Sequence, residues 1–320
     1  HNTSGHGTQT LVQGTMNSCN PFFIYLGQLL GTETFFDYFE AFGFTQKTGI
    51  DLPGESQSIY HDRDMTQMDL AVESFGQNFS ITPIQMITAC AAIANGGYLV
   101  QPHVVSQIVD NDGNIIKTAD TTVKRQVISE ETSKRVSKIL QENATSGTAK
   151  NGYVAGYRIA GKTGTSEKVG ADGKVGSDNK YIASYCGFAP ADDPQYAVLV
   201  FFDEPTGDSY YGGAVAGPVF AKIMEEILPY LNVETKYTED EAGSVGVSAP
   251  NVIGKTVSEA TNELTNNGLK ILVKGSGDTV IAQTPDPGSS VPSGGTVVAY
   301  TDEASMNQTV TVPNFTNRTL

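Results

Sequence analysis

The sequence predicts an α+β protein of mixed α/β character, with an antiparallel sheet flanked by helices and a small βαβββ module after it. Three observations carry that prediction. Tyr157 to Thr165, Tyr181 to Phe188 and Tyr196 to Phe202 are successive extended runs with no helical pattern between them, the arrangement of strands that pair antiparallel. Apolar residues at helical spacing lie on both sides of these runs. After Asn232 the chain turns polar and acidic through Glu234, Glu239, Asp240 and Glu241, and a second pattern of short strands around one helix begins near Ala249.

Taken in order, Leu11 to Phe44 carries apolar and aromatic residues at helical spacing, including Phe35, Phe36 and Phe39, and the turn-formers of Gly43 to Gly54 then predict an extended loop. Thr82-Pro83-Ile84-Gln85 combines an N-cap threonine, an early proline and a capping-box glutamine, so it opens a helix that stops at Asn95-Gly96-Gly97. Gly97 to Gln126 alternates short β-branched runs, with a hairpin turn at Asn111-Asp112-Gly113-Asn114. A helix from Ser129 to about Glu142 follows, with Val136, Ile139 and Leu140 on one face. Gly217-Pro218 should open another, with Phe220, Ile223, Ile227 and Leu231 as its core-facing stripe.

In the second domain the pattern predicts a short strand after Pro250, a helix from Thr256 to Asn267 with Ala260 and Leu264 inward and Gly268 as its cap, and strands at Leu269 to Lys274, Val280 to Thr284 and Thr296 to Tyr300. Val312 to Thr319 echoes Ala249 to Thr256, the start of a tandem repeat. The expected boundaries are 1–232 for the first domain, 233–248 for an acidic linker, 249–302 for the module, and 303–320 for a linker and the start of a second, truncated repeat.

Charge and composition narrow the function. With 35 acidic and 20 basic side chains among 320 residues the formal net charge is -15, which repels a polyanion over most of the surface and argues against a nucleic-acid partner. No run reaches the roughly 18 apolar residues that span a bilayer. Cys19, Cys90 and Cys186 have no metal-ligand spacing, so neither a metal nor a cofactor is expected, and Cys90 and Cys186 read as small buried hydrophobes.

The chemistry-bearing residues are two triplets. Lys-Thr-Gly occurs twice, but Lys47-Thr48-Gly49 lies among turn residues, whereas Lys162-Thr163-Gly164-Thr165 lies on a strand. A strand presenting an ammonium, two hydroxyls and an unhindered glycine backbone can bind a carboxylate and align an acyl group beside it. Ser18-Cys19-Asn20 adds a hydroxyl able to relay a proton and an amide able to bind a peptide group; the bland alternative is a helix N-cap ahead of Pro21. Ser177-Asp178-Asn179 and Ser305-Met306-Asn307 repeat the Ser-x-Asn pattern in polar connections.

In order, spacing and flanks, residues 1 to about 232 resemble the transpeptidase domain of class B penicillin-binding proteins: Gly5 to Thr10 leading to Ser18-Cys19-Asn20-Pro21, Gly49 to Glu55, Ile81 to Gln85, Ala160 to Glu167, and Gly187 to Pro190. The second domain resembles a PASTA module. The resemblance implies a penicillin-binding transpeptidase fold, present in part, and an acyl-serine D,D-transpeptidase that crosslinks peptidoglycan stem peptides ending in D-Ala-D-Ala and is trapped by β-lactams. It implies that Ser18, Asn20 and Lys162 are catalytic and that Thr163, Gly164 and Thr165 bind substrate, with the Thr165 amide as half of an oxyanion hole.

It further implies the extracytoplasmic face of a Gram-positive cell membrane, an anchor ahead of this chain, and division or sporulation septum proteins as candidate partners. The family nucleophile is the serine of a Ser-x-x-Lys ahead of Ser-x-Asn. The one such motif here, Ser177-Asp178-Asn179-Lys180, follows the Lys-Thr-Gly strand, so the nucleophile is expected upstream of His1 and the chain by itself is expected to be inactive, with apolar surface exposed near Phe22, Phe23 and Leu26. The alternative is a catalytically silent module that binds peptidoglycan or a partner.

Overall fold

Three strands, β5 (Ala160–Glu167), β6 (Tyr181–Ala189) and β7 (Tyr196–Asp203), form one antiparallel sheet in the order β5-β6-β7, so β5 is an edge. The computed structural model describes residues 5–119, 121–168, 176–238, 241, 246–292 and 294–306. The tandem echo at Val312 to Thr319 and most of the Lys168 to Asn179 connection lie outside the described residues. The chain divides into two units, His1–Lys236 and Tyr237–Leu320.

In the first unit, α1 (Leu11–Met16) and α2 (Asn20–Ala41) precede the short α3 (Gln67–Glu73), and α2 breaks at Gly31, whose φ of 77° is left-handed. The capped helix α4 (Pro83–Ala94) forms as its sequence predicts, with Thr82 and Gln85 in a reciprocal capping box. Its glutamine does more than cap: Gln85 is buried, exchanges hydrogen bonds with Ser58 and donates to the Gln46 carbonyl at 2.8 Å, pinning the long loop. Four short strands follow, β1 (Tyr98–Val100), β2 (Gln107–Val109), β3 (Ile115–Thr118) and β4 (Val123–Gln126), with β2–β3 as the hairpin and β1 pairing β4.

Two helices differ from expectation. The helix α5 (Glu130–Ser146) has Ser129 as its N-cap and extends one turn beyond Glu142; its buried residues are Ser133, Ser137, Asn143 and Ala144, while Val136, Ile139 and Leu140 are half-buried. Its inward face is small and polar because it abuts backbone at β5 and α4. The helix α6 (Gly212–Tyr230) begins five residues before Gly217 and carries Pro218 inside it. The stripe that reaches the core is Ala216, Phe220, Met224 and Leu228, so Ile223, Ile227 and Leu231 flank it. Phe220 packs with its ring tilted against that of Tyr185, the fully buried centre of β6, at a centroid distance of 4.4 Å, and these residues with Ile159 and Ala149 belong to the main core.

The apolar residues left in solvent also shift from expectation. Phe22, Phe23 and Leu26 are half-buried, and the exposed positions are Tyr25, Leu29 and Leu30. Among the described residues no helix is long and apolar enough to cross a membrane. At the other end, Val233 packs into the main core and the Lys236 N–H donates to the Gly156 carbonyl, so the chain stays on the first unit to that point.

The second unit holds β8 (Gly246–Ser248), α7 (Val257–Asn266), β9 (Lys270–Lys274), β10 (Ala282–Thr284), β11 (Ser290–Pro292), β12 (Thr296–Tyr300) and a final turn, α8 (Glu303–Met306). The strand order is β10-β12-β9, with β12 parallel to β9, and β8 pairs separately with β11. Two corrections follow: the first strand lies ahead of Pro250, and β11 was not predicted because three residues carry no periodic signal. Ala260 and Leu264 face inward as expected, joining Val252, Val280 and Val297, and Gly268 takes the left-handed conformation at the end of α7.

Candidate active site

Lys162 and Ser18 meet although 144 residues separate them: the lysine Nζ donates to the serine Oγ at 2.7 Å. The turn that delivers Ser18 is a helix end. The Cys19 N–H bonds the Gly14 carbonyl and the Ser18 N–H bonds the Thr15 carbonyl, which makes a Schellman motif closing α1, with Ser18 in the left-handed slot at φ 46°. Glycine is the usual occupant there, so a serine costs about 1 kcal/mol or more in strain. Ser18 is therefore not an N-cap. That role falls to Cys19, whose side chain makes no capping bond, and Asn20 is the first residue of α2.

Asn20 is half-buried, and its carboxamide makes no hydrogen bond among the described residues. The end of α1 is anchored where the site needs it. The Thr148 N–H, just past α5, donates to the Met16 carbonyl at 2.9 Å.

On β5 the pleat sorts the motif. Lys162 lies opposite Cys186 and Gly164 opposite Ser184 on one face, while Thr163 opposite Tyr185 and Thr165 opposite Ala183 lie on the face covered by α6. The four residues thus straddle an edge strand rather than sharing a face. Among the described residues the outer backbone edge of β5 pairs with no strand, and because side chains bond the Gly161, Thr163 and Thr165 carbonyls, what it offers an extended peptide is its outward N–H groups.

Electrostatics set Lys162 apart. Its ammonium also donates to the Thr163 carbonyl at 3.0 Å, and among the described residues it has no carboxylate partner. Burial alone lowers its pKa from 10.5 to about 8. A lysine poised there can hold an anion in one protonation state and accept a hydroxyl proton in the other.

Four supporting residues escaped the sequence reading. Asn143, buried on α5, donates from Nδ2 to the Gly161 carbonyl at 2.7 Å and so fixes the start of the motif. Tyr185 donates to the Ala149 carbonyl at 2.9 Å, and its ring fills the space that a side chain at Gly161 would need. The Gly212 N–H, first in α6, donates to the Thr165 Oγ1 at 3.1 Å. Gln77 grips the far end of the edge, donating to the Thr165 carbonyl at 3.4 Å and accepting from Ser166 Oγ at 3.3 Å. No local pattern marks any of them, although a glutamine in the turn between α3 and α4 and an asparagine inside a helix were visible as polar residues without a stated partner.

The decoys resolve into structure. Lys47-Thr48-Gly49 wraps the Glu55 carboxylate, which accepts from the Thr48 amide and hydroxyl and from the Gly49 amide. Ser177 to Lys180 is an exposed turn whose lysine pairs with Glu204 at 3.1 Å. Cys90 and Cys186 are half-buried rather than buried, and their thiols share a hydrogen bond that, with burial, pushes Cys186 well above the ordinary thiol range. Cys19 is the buried cysteine. Among the described residues no group of three or more His, Cys, Asp or Glu side chains could hold a metal ion.

Residues 1–225 match the family model of the penicillin binding protein transpeptidase domain. The chain belongs to that family. Residues 247–303 of this penicillin-binding protein match the PASTA domain model. It is 41% identical over 308 residues to stage V sporulation protein D of Bacillus subtilis, a match covering 93% of this chain and 47% of that protein. It is 33% identical over 201 residues to the peptidoglycan D,D-transpeptidase FtsI of Escherichia coli K12, covering 62% of this chain and 32% of the relative.

Among solved structures, penicillin-binding protein 3 of Mycobacterium tuberculosis in complex with aztreonam superposes with a TM-score of 0.65 at 29% identity, covering 71% of this chain and 52% of that one. The apo transpeptidase domain of Burkholderia pseudomallei penicillin-binding protein 3 gives 0.63 at 29% identity, covering 73% and 68%. The chain spans about half the length of the Bacillus relative.

Proposed function

We propose that this chain supplies the carboxylate clamp and proton relay of a serine-type peptidoglycan D,D-transpeptidase acting on stem peptides that end in D-Ala-D-Ala. The observation that carries the proposal is the 2.7 Å bond between Lys162 Nζ and Ser18 Oγ beside an open strand edge. An extended stem peptide lies along β5, with its terminal carboxylate between Lys162 on one face and the Thr163 and Thr165 hydroxyls on the other. Thr165 Oγ1 already accepts the Gly212 N–H, so its own hydrogen is free to donate, and the positive end of the 19-residue α6 favours the anion.

A serine hydroxyl attacks the penultimate D-alanine carbonyl, and the Thr165 amide bears the oxyanion. The attacking serine's proton passes through Ser18, which is hydrogen-bonded to Lys162, to the nitrogen of the terminal D-alanine as its peptide bond breaks. Asn20 orients the donor amide. An amine of a second stem then displaces the enzyme from the acyl ester. β-Lactams acylate the same serine. We assign that nucleophile to a Ser-x-x-Lys element of the parent protein outside these 320 residues, since Ser177 stands in an exposed turn with Lys180 committed to Glu204.

Similarity to stage V sporulation protein D and FtsI supports a septal role, in division or sporulation, at the extracytoplasmic face of the membrane. The test is the rate of acylation of the parent protein by a penicillin. Lys162→Ala and Thr165→Val should each slow it at least about tenfold, the loss expected for a charge-assisted contact. An unchanged rate in both would move the site and favour the silent binding module.

A further inference from the structure

The first unit has a cavity whose walls include none of these residues. Its volume is about 520 Å³, within the range of small-molecule sites, and its walls include Ser133, Lys134, Ser137 and Lys138 of α5, Asn95 at the end of α4, and Asp192 in the β6–β7 turn.

Ser137 is the telling residue. It is 3% exposed, yet among the described residues its hydroxyl makes no hydrogen bond, whereas Ser133 one turn earlier donates to the Ile93 carbonyl at 2.6 Å. Nor is that hydroxyl sealed in protein. Among the described residues the one wholly enclosed side-chain polar atom without a partner is Thr45 Oγ1, so the Ser137 hydroxyl opens on the cavity. That hydroxyl, without a protein partner among the described residues, is a directional donor and acceptor offered to whatever occupies the cavity.

The rim says what that something is. Lys134 and Lys138 stand one helical turn apart, both exposed and, among the described residues, neither paired with a carboxylate. Side chains at that spacing lie about 5–6 Å apart, so one anionic group can bridge the two ammoniums. The remaining charged wall is acidic: Glu130 opens α5, and Asp192 has one oxygen held by Arg158 Nε at 2.7 Å. Carboxylates accept O–H donors. A ligand that satisfies every wall therefore has an anionic group at one end and several hydroxyls at the other.

We propose that this cavity is a second ligand site, for an acidic sugar. The anion sits between Lys134 and Lys138, and the hydroxyls bond Ser137, Glu130 and Asp192. The site is independent of the transpeptidase proposal, because none of its residues serves the acyl transfer.

The test is a titration of the ¹⁵N-labelled full chain, followed by amide chemical shifts, with glucuronate, glucose 6-phosphate and glucose as probes. Saturable shifts confined to residues 94–96, 130–141 and 191–194, with at least about tenfold tighter binding of an acidic sugar than of glucose, are expected. Preference for glucuronate or for glucose 6-phosphate tells carboxylate from phosphate.

Ser137→Ala should weaken binding at least about threefold, and the surface double variant Lys134→Gln with Lys138→Gln at least about tenfold, each with the native spectrum retained elsewhere. No saturable shift up to about 20 mM, equal affinity for glucose, or unchanged affinity in the lysine double variant would each overturn the proposal.

Discussion

Lys162 is a half-buried lysine whose ammonium has exchanged part of its water for a hydroxyl and a carbonyl. Its pKa near 8, against 10.5 when free, has a consequence for stability. Below pH 8 both folded and unfolded chains hold the proton; between 8 and 10.5 the folded chain has released it and the unfolded chain has not, so stability rises with pH across that window. From pH 7 to 9 the gain is about 1 kcal/mol. Urea melts of the full chain and of Lys162→Met at the two pH values isolate it, since Cys186 and Tyr185 contribute equally to both proteins. A gain of equal size in the variant would show that Lys162 is not the buried cation described here. At this scale the sequence exposed the lysine through its motif but hid its partner. Nothing in Ser18-Cys19-Asn20 reveals that a Schellman turn, rather than an N-cap, presents the serine, because left-handed backbone at a non-glycine residue has no compositional signal.

At the scale of elements, what was legible is what is locally encoded. The Thr82–Gln85 capping box and the three extended runs are written in contiguous residues; the box forms as read, and the runs form strands, the first beginning at Ala160, three residues after Tyr157, and reaching Glu167. The start of α6 is not local. Gly212 and Gly213 are poor helix formers, and Gly217-Pro218 carries the stronger start signal, yet the helix begins at Gly212 because only glycine lets its first turn rest on the sheet. A side chain at Gly212 would overlap the carbonyl oxygens of Gly164 and Ser184, both backbone atoms that cannot swing aside. Gly212→Ala should therefore cost about 2–3 kcal/mol by denaturant melting and disturb the Thr165 contact. A loss below about 0.5 kcal/mol would mean that α6 does not bear on β5 as described. The most buried face of α5 was hidden for a related reason: Ser133, Ser137 and Asn143 are small or bond backbone, so apolar periodicity marks the half-buried flank, where Leu140 packs against the core.

For the whole molecule, one unit carries the Lys162–Ser18 pair and the open β5 edge, and the other carries a PASTA module with its own core. The meeting of Lys162 with Ser18, on which the proposed clamp and relay rest, was foreshadowed by motif order and flanking sequence. The residues that hold them, Asn143, Gln77, Tyr185 and Gly212, belong to contacts that only the folded chain makes. If acyl transfer takes place at the β5 edge, penicillin attaches to the serine that serves that edge, and mapping the site of attachment decides it. Fluorescent penicillin is reacted with this chain and with the parent protein, and the labelled peptide is sequenced by mass spectrometry. We expect no adduct on the chain alone and a single adduct in the parent, on a serine of a Ser-x-x-Lys outside these 320 residues. An adduct on Ser18 or Ser177 would contradict it.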